Sequence, residues 1–411
     1  MQFPRPRKTR GIISVGFLVF AAGCTPADGE RPWLDEVREV AAPGGPGSRY
    51  PHLAVGPDDT LLMSWLQPLA GGGHELRYAA WQERAWGESR VVASGTDWFV
   101  NWADFPSVVA GAEGLRIAHW LQQRPEHVYS YDIRMAVSRD AGRTWSAPLT
   151  PHDDGTPTEH GFVTVLPHEA GFLAVWLDGR HTAGGHDHGT GGAMTLRSAG
   201  IDSTGRVSGT GSELDARVCD CCQTDAAMST GGPVVVYRDR SPTETRDVAV
   251  VRLTASGWSE PRPVHADGWH MPACPVNGPA IDARGNEVVV AWFTAPDRPR
   301  VRLAFSSDAG RSFAAPIEVA AGRVAGRVDV VLLEDGRAVV SWLDESAVGA
   351  EIRVQPFTRE GAAGRPLTVA RSSAARSSGF PQMTRSGNHL MFAWTDAGEP
   401  LQLRTAVAEL R

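Results

Sequence analysis

The chain has 411 residues, a formal net charge of −7 at pH 7 and an isoelectric point of about 6.0. Past the N-terminus there is no long basic run, so the electrostatic footprint of a nucleic-acid binder is absent and no nucleic-acid partner is expected. The length exceeds what one compact core usually serves, which leaves several domains or a repeat architecture.

The first segment carries Arg5, Arg7, Lys8 and Arg10, an apolar run from Gly11 to Phe20, and then Ala21-Ala22-Gly23-Cys24. A basic start followed by a short apolar run reads as a secretion signal. The run is shorter than the roughly 20 apolar residues a spanning helix needs. Small residues directly before a cysteine resemble the lipobox of bacterial lipoproteins, although Ala21 stands where that family usually has Leu. The resemblance implies acylation of Cys24, attachment to a membrane through an N-terminal lipid, and, with Thr25 rather than Asp next in line, the outer membrane of a bacterial envelope.

From residue 33 onward, short runs of Val, Leu, Ile and Trp bounded by Gly, Pro, Asp and Ser replace any helical period, an all-β signature. One run recurs: an apolar strand ending on an aromatic residue, at Trp65, Trp120, Trp176, Tyr237, Trp292, Trp342 and Trp394. The recurrence, roughly every 50–60 residues with about four strands per unit, predicts propeller blades. Opening strands start beside Pro51, Pro106, Pro279 and Pro381, where a residue without an N–H removes no ladder bond. The seventh unit is one strand short. Residues Val37 to Ala41 are expected to supply it and close the ring. The predicted organisation is therefore a signal over 1–23, a tether over 24–32, and a single β-propeller of seven four-stranded blades over 33–411.

Two turns between third and fourth strands carry a specific pattern, Ser138-Arg139-Asp140-Ala141-Gly142-Arg143-Thr144-Trp145 and Ser306-Ser307-Asp308-Ala309-Gly310-Arg311-Ser312-Phe313. Both resemble the Asp box, or BNR repeat, of sialidases and related propellers. The resemblance implies a sialidase-like propeller, with six blades as the alternative to seven. It also implies a place for an arginine clamp on a substrate carboxylate, since guanidinium offers paired donors to a carboxylate. Arg49, before the first opening strand, stands where the first clamping arginine is found. Arg180, Arg238, Arg240, Arg246, Arg327 and Arg376 are candidates for the others. The family's nucleophilic tyrosine comes late in the chain, and the last two units here contain none. An exo-sialidase-like glycoside hydrolase is thus the alternative to a binding protein whose partner is a glycan or another anionic small molecule. A monomer is expected.

In an up-and-down blade, loops entering first strands and loops leaving second strands share one face. There the chain places Asp104, Glu159, His160, Asp178, Arg180, His181, His186, Asp187, His188, Arg238, Arg240 and Arg246, and binding residues gather on such loops. With Cys24 assigned to the lipid, Cys219, Cys221, Cys222 and Cys274 remain, an even number in an oxidising compartment. Register puts all four near the channel mouth. Disulfides are the first expectation. The alternative is a copper or zinc site using these thiols with Met271 and His270, ligand types that soft metals choose.

Overall fold

The computed structural model of the protein describes residues 1–2, 32–182, 192–346 and 349–411; Cys24, His186, Asp187 and His188 lie outside them. Residues from Trp33 to Arg411 form one compact unit. Within it, seven small antiparallel sheets follow one another along the chain as the blades of a β-propeller. Strands in each sheet pair in sequence order, first against second and second against third. The ring closes between the two ends of the chain. Arg38–Val40 pairs antiparallel with Gln402–Glu409, in register Arg38 to Val407, and supplies the fourth strand of the seventh blade.

Strand counts vary more than the repeat suggests. The second blade has three strands, and its fourth position is reduced to a single bridge between Met135 and Leu149. In the first, fourth and sixth blades the outer position is split into two short strands, so four strands per blade holds only as an average. The outer edge carries little of the core and tolerates such breaks.

Second strands read as nearly unbroken apolar runs because neighbouring blades cover both of their faces; Gly171–Asp178 is buried along its whole length. Their aromatic residues explain the repeat. Trp120 packs with Leu62 and Tyr78 of the first blade, Trp176 with Ile117 and Ile133 of the second, and Tyr237 with Val175 and Leu196 of the third. Trp292, Trp342, Trp394 and Trp65 continue the pattern onto blades four, five, six and seven. Each blade buries one large aromatic side chain against the blade before it. Truncating such a residue to Ala typically costs about 3–5 kcal/mol.

A second set of contacts runs along the inner strands. The carboxylates of Asp225, Asp282 and Asp329 accept the backbone N–H of Ile281, Leu332 and Met383 respectively, one blade further on. Each also accepts the N–H of its own following residue. These latches line a central channel of about 630 Å³ bounded by the first strands of all seven blades. Burial, and for each the proximity of another channel carboxylate or two, push Asp225 up to about 7 and Asp329 up to about 8; for Asp282 burial alone raises the value to about 6.

Both Ser-x-Asp-x-Gly turns fold alike. Ser138 donates to Asp140 Oδ1 at 2.8 Å and accepts from Gly142 N at 2.8 Å, while Asp140 accepts from Thr144 N and Oγ1. Ser306, Asp308, Gly310 and Ser312 repeat every bond. Gly142 takes φ +75°, and a Cβ there would collide with the Tyr78 hydroxyl of the preceding blade. The turn at Asp202 keeps part of the set, with Asp202 accepting from Thr204 N and Arg206 N.

Candidate functional site at the channel mouth

The face opposite those turns holds the starts of the first strands and the ends of the second. Here the channel is capped by the segment preceding the second blade. Trp102 stacks on Phe380 of the seventh blade at 5.7 Å, and the Arg327 guanidinium of the sixth lies 5.0 Å above the Trp102 ring. Gln223 donates to Ala103 O at 2.6 Å and accepts from Gly278 N at 3.1 Å, tying the cap to the fourth and fifth blades. Trp102 itself remains partly exposed.

Beside the cap, the Tyr131 hydroxyl joins two carboxyl groups, at 2.6 Å from Glu159 Oε1 and 3.1 Å from Asp104 Oδ2. Asp104 also accepts the Phe162 N–H at 2.8 Å. Burial outweighs these bonds and pushes Asp104 up to about 7. Glu159 is held well above the carboxylate range, by burial and by the charges of Asp104, Asp220 and Cys274 around it. Phe99 stacks on Tyr131 at 4.0 Å and fixes its ring. The result is a pair of proton-holding acids at the mouth.

The four cysteines converge on this same spot. Cys219 Sγ lies 3.4 Å from Cys222 Sγ and 3.8 Å from Cys221 Sγ. Cys221 and Cys274 bring their sulfurs within 4.8 Å of a carboxylate oxygen of Asp220. None of the four is in a disulfide, so the disulfide expectation is not met; the sulfurs stand well beyond the ~2.05 Å of an S–S bond. Polar donors approach them instead: Arg246 Nη1 at 3.1 Å from Cys219 Sγ, and Asn277 N at 3.4 Å from Cys222 Sγ. Burial pushes the Cys219 thiol up to about 11. Burial also acts upward on Cys222, yet the bonds from Cys219 and Cys221, the Arg238 charge and the Asn277 amide outweigh it and hold this thiol low. His270 and Met271 do not join the cluster. His270 is exposed with Nδ1 on Thr243 O, and Met271 packs into the layer between blades five and six.

Of the predicted arginines, Arg49, Arg180, Arg238, Arg240, Arg246 and Arg327 turn to partners within the protein, whereas Arg376 is exposed. Arg246 pairs with Asp220 at 3.2 Å and Glu244 at 2.9 Å, and Arg240 pairs with Glu244 at 2.8 Å. Arg180 forks onto Asp178, with two bonds of 2.8 Å. Arg238 donates to the carbonyls of Asn277, Arg246 and Phe293, and Arg327 to those of Ala374, Ala375 and Gly379. Arg49 faces His74 Nε2 at 2.7 Å. A buried guanidinium must find acceptors, and in this face the protein supplies them.

Next to Arg180 lies a second polar group. His160 and His152 stack at 3.9 Å, with Asp154 3.1 Å from His160 Nε2 and 3.3 Å from His152 Nδ1. Burial opposes the Asp154 charge, but bonds from His152, His160 and Thr156 hold its carboxyl well below the usual range. His160 and Asp178, both completely buried, thus anchor the start of the third blade.

No family model matches the chain, and no curated protein matches it in sequence. Among solved structures it is similar to a protein of unknown function from Dyadobacter fermentans, with a TM-score of 0.52 at 13% identity over 93% of this chain and 100% of that one. It is also similar to an α-L-arabinofuranosidase of family GH93 from Fusarium graminearum, with a TM-score of 0.47 at 13% identity over 92% and 97% of the two chains. The NanB sialidase of Streptococcus pneumoniae gives 0.46 at 8% identity over 86% and 83%. At these identities the likeness is one of fold. Sequence reasoning missed Tyr131, Asp220 and Glu244 as members of the site. Each sits beside a residue it did single out, and only the packing of blades two to five brings them together.

Proposed function

We propose that the protein is a lipid-anchored, extracytoplasmic binding propeller that takes a glycan at the channel mouth. The observation that carries this reading is the half-buried Glu159, joined through the buried Tyr131 hydroxyl to the buried Asp104, together with the partly exposed ring of Trp102 in the same cap. Carboxyl groups that hold their protons both donate to and accept from sugar hydroxyls, and an indole face packs against the apolar side of a pyranose. Because the nearby guanidinium groups are already engaged by Asp178, Asp220, Glu244 and backbone carbonyls, the geometry favours a neutral, hydroxyl-rich ligand over an anionic one.

A glycan array probed with the purified protein tests this. Neutral oligosaccharides are expected to be retained, with binding weakened about tenfold by Glu159→Ala or Trp102→Ala, the loss of a hydrogen-bonded or well-packed contact being worth about 1.4 kcal/mol. Retention of acidic sugars alone, or unchanged binding by both folded variants, would overturn it. Anchoring is tested separately: Cys24→Ser is expected to move the protein out of the membrane fraction.

A further inference from the structure

We propose that Cys219, Cys221 and Cys222, with Cys274 from the neighbouring blade, form a binding site for one thiophilic closed-shell metal ion, zinc(II) or copper(I). The inference stands independently of the glycan reading. A tetrahedral ion with metal–sulfur bonds of about 2.3 Å needs sulfurs about 3.8 Å apart. Cys219 lies 3.8 Å from Cys221 and 3.4 Å from Cys222, so the three thiols of one short loop already form one face of such a tetrahedron. The ligand atoms of all three lie within 4.8 Å of one another. Cys274 comes from the loop before the fifth blade, in a group with Cys221 and Asp220 rather than with Cys219 and Cys222, and would supply the fourth sulfur by closing on those two.

The surroundings suit thiolates. Arg246 is fully buried and donates to Cys219 Sγ, while the Asn277 amide donates to Cys222 Sγ. Such donors orient sulfur ligands and offset their charge, as outer-shell groups do around metal sites. Arg238 adds a second buried positive charge nearby. Cys219, Cys221 and Cys222 are buried and Cys274 is half-buried, so an ion would enter from the Cys274 side. The donor set is all sulfur with a carboxylate at its edge, which selects zinc(II) or copper(I) over calcium or magnesium. Loading replaces each ligating S–H by a metal–sulfur bond and releases its proton to solvent.

The test uses the full-length protein purified under reducing conditions. Zinc chloride is added to one portion and copper(I), presented as its bicinchoninate complex, to another; free metal is removed, and bound metal and reactive thiols are counted. One ion per chain is expected in at least one arm, with the cluster thiols protected from alkylation, and the arm that loads identifies the ion. Cys222→Ser and Cys274→Ser should each lose the ion, and Arg246→Lys should weaken it about 10–100-fold while the chain stays folded by circular dichroism. Cys274→Ser removes a half-buried side chain, so it keeps the test open should Cys222→Ser not fold. The proposal is overturned if neither ion is retained by the reduced protein, or if Cys274→Ser holds the ion as tightly as the unaltered chain.

Discussion

The two faces of the ring are built in different ways. On one, the serine, aspartate and threonine side chains that shape the turn from Ser138 to Trp145 bond within the same stretch, and the turn from Ser306 to Phe313 repeats those bonds; from outside, Ala141 and Ala309 each donate to one neighbouring carbonyl, Gly114 O and Asn286 O, and Gly142 O accepts from the Tyr78 hydroxyl. On the other, the contacts join blades. Tyr131 of the second meets Glu159 of the third, Arg238 of the fourth reaches carbonyls of the fifth, and Cys274 before the fifth meets Cys221 before the fourth. Local motifs can be read and replaced one at a time. The mouth is cooperative, and a change there should disturb neighbours as well as the residue itself.

The largest effect is expected from Arg238→Ala. Arg238 is 1% exposed, and its loss strands the carbonyls of Asn277, Arg246 and Phe293 and removes the cation lying over Trp269. With about 1–3 kcal/mol for each unsatisfied buried group, part of it recovered by water, a loss on the order of 3–5 kcal/mol is expected in urea unfolding. A loss below ~1 kcal/mol would place the face in the same class as the turns.

Tyr131→Phe comes next. It removes the bridge between Glu159 and Asp104 and leaves two buried carboxyls short of a partner. About 1–3 kcal/mol is expected. The apparent pKa of Asp104, followed by NMR of its side chain, should rise further from about 7, because the bond from Tyr131 is one of the two that pull it down.

The channel gives a pH dependence. Asp225, Asp282 and Asp329 have folded-state values of about 7, 6 and 8 against an ordinary 3.8, so between those limits the folded chain holds more protons than the unfolded one and stability falls as pH rises. His52 and His119 act oppositely: burial lowers them to about 4 and about 3 from 6.5, so their contribution is present above 6.5 and is lost as pH falls. Three aspartates outweigh two histidines, so the melting temperature should decline from about pH 5 to about pH 8.5, with the aspartates alone carrying the last part of the fall. Asp329→Asn should flatten that decline. A melting temperature that keeps climbing above pH 6.5 would contradict it.

The smallest effects belong to the turns. Ser138→Ala and Ser306→Ala each remove one acceptor for a Gly N–H and one donor to the turn aspartate, and about 1 kcal/mol is expected for each. The two losses should be equal and additive, since the sites belong to different blades and share no partner.

Much of the architecture was legible. The seven aromatic positions predicted seven blades because each fills the same gap against the preceding blade, and the missing seventh fourth strand was found at Arg38–Val40. The convergence of the four cysteines was legible from register alone. Their chemistry was not, since an even number of thiols in one place is compatible with bridges or with a metal until sulfur separations are known. The arginines were legible as residues of the mouth, but which way each guanidinium turns depends on acceptors contributed by Asn277, Phe293, Glu244 and Asp220.

By itself, the sequence determined the repeat, the closure and the internal bonds of the two turns, because hydrophobic period, proline placement and bonds spanning four residues are properties of contiguous chain. Only the tertiary structure decided that Tyr131 joins Glu159 to Asp104, that Asp225, Asp282 and Asp329 latch blade to blade, and that His270 and Met271 stand apart from the thiols. Those contacts join residues that lie close only once the blades have packed, and their burial, more than their identity, sets which acids keep their protons.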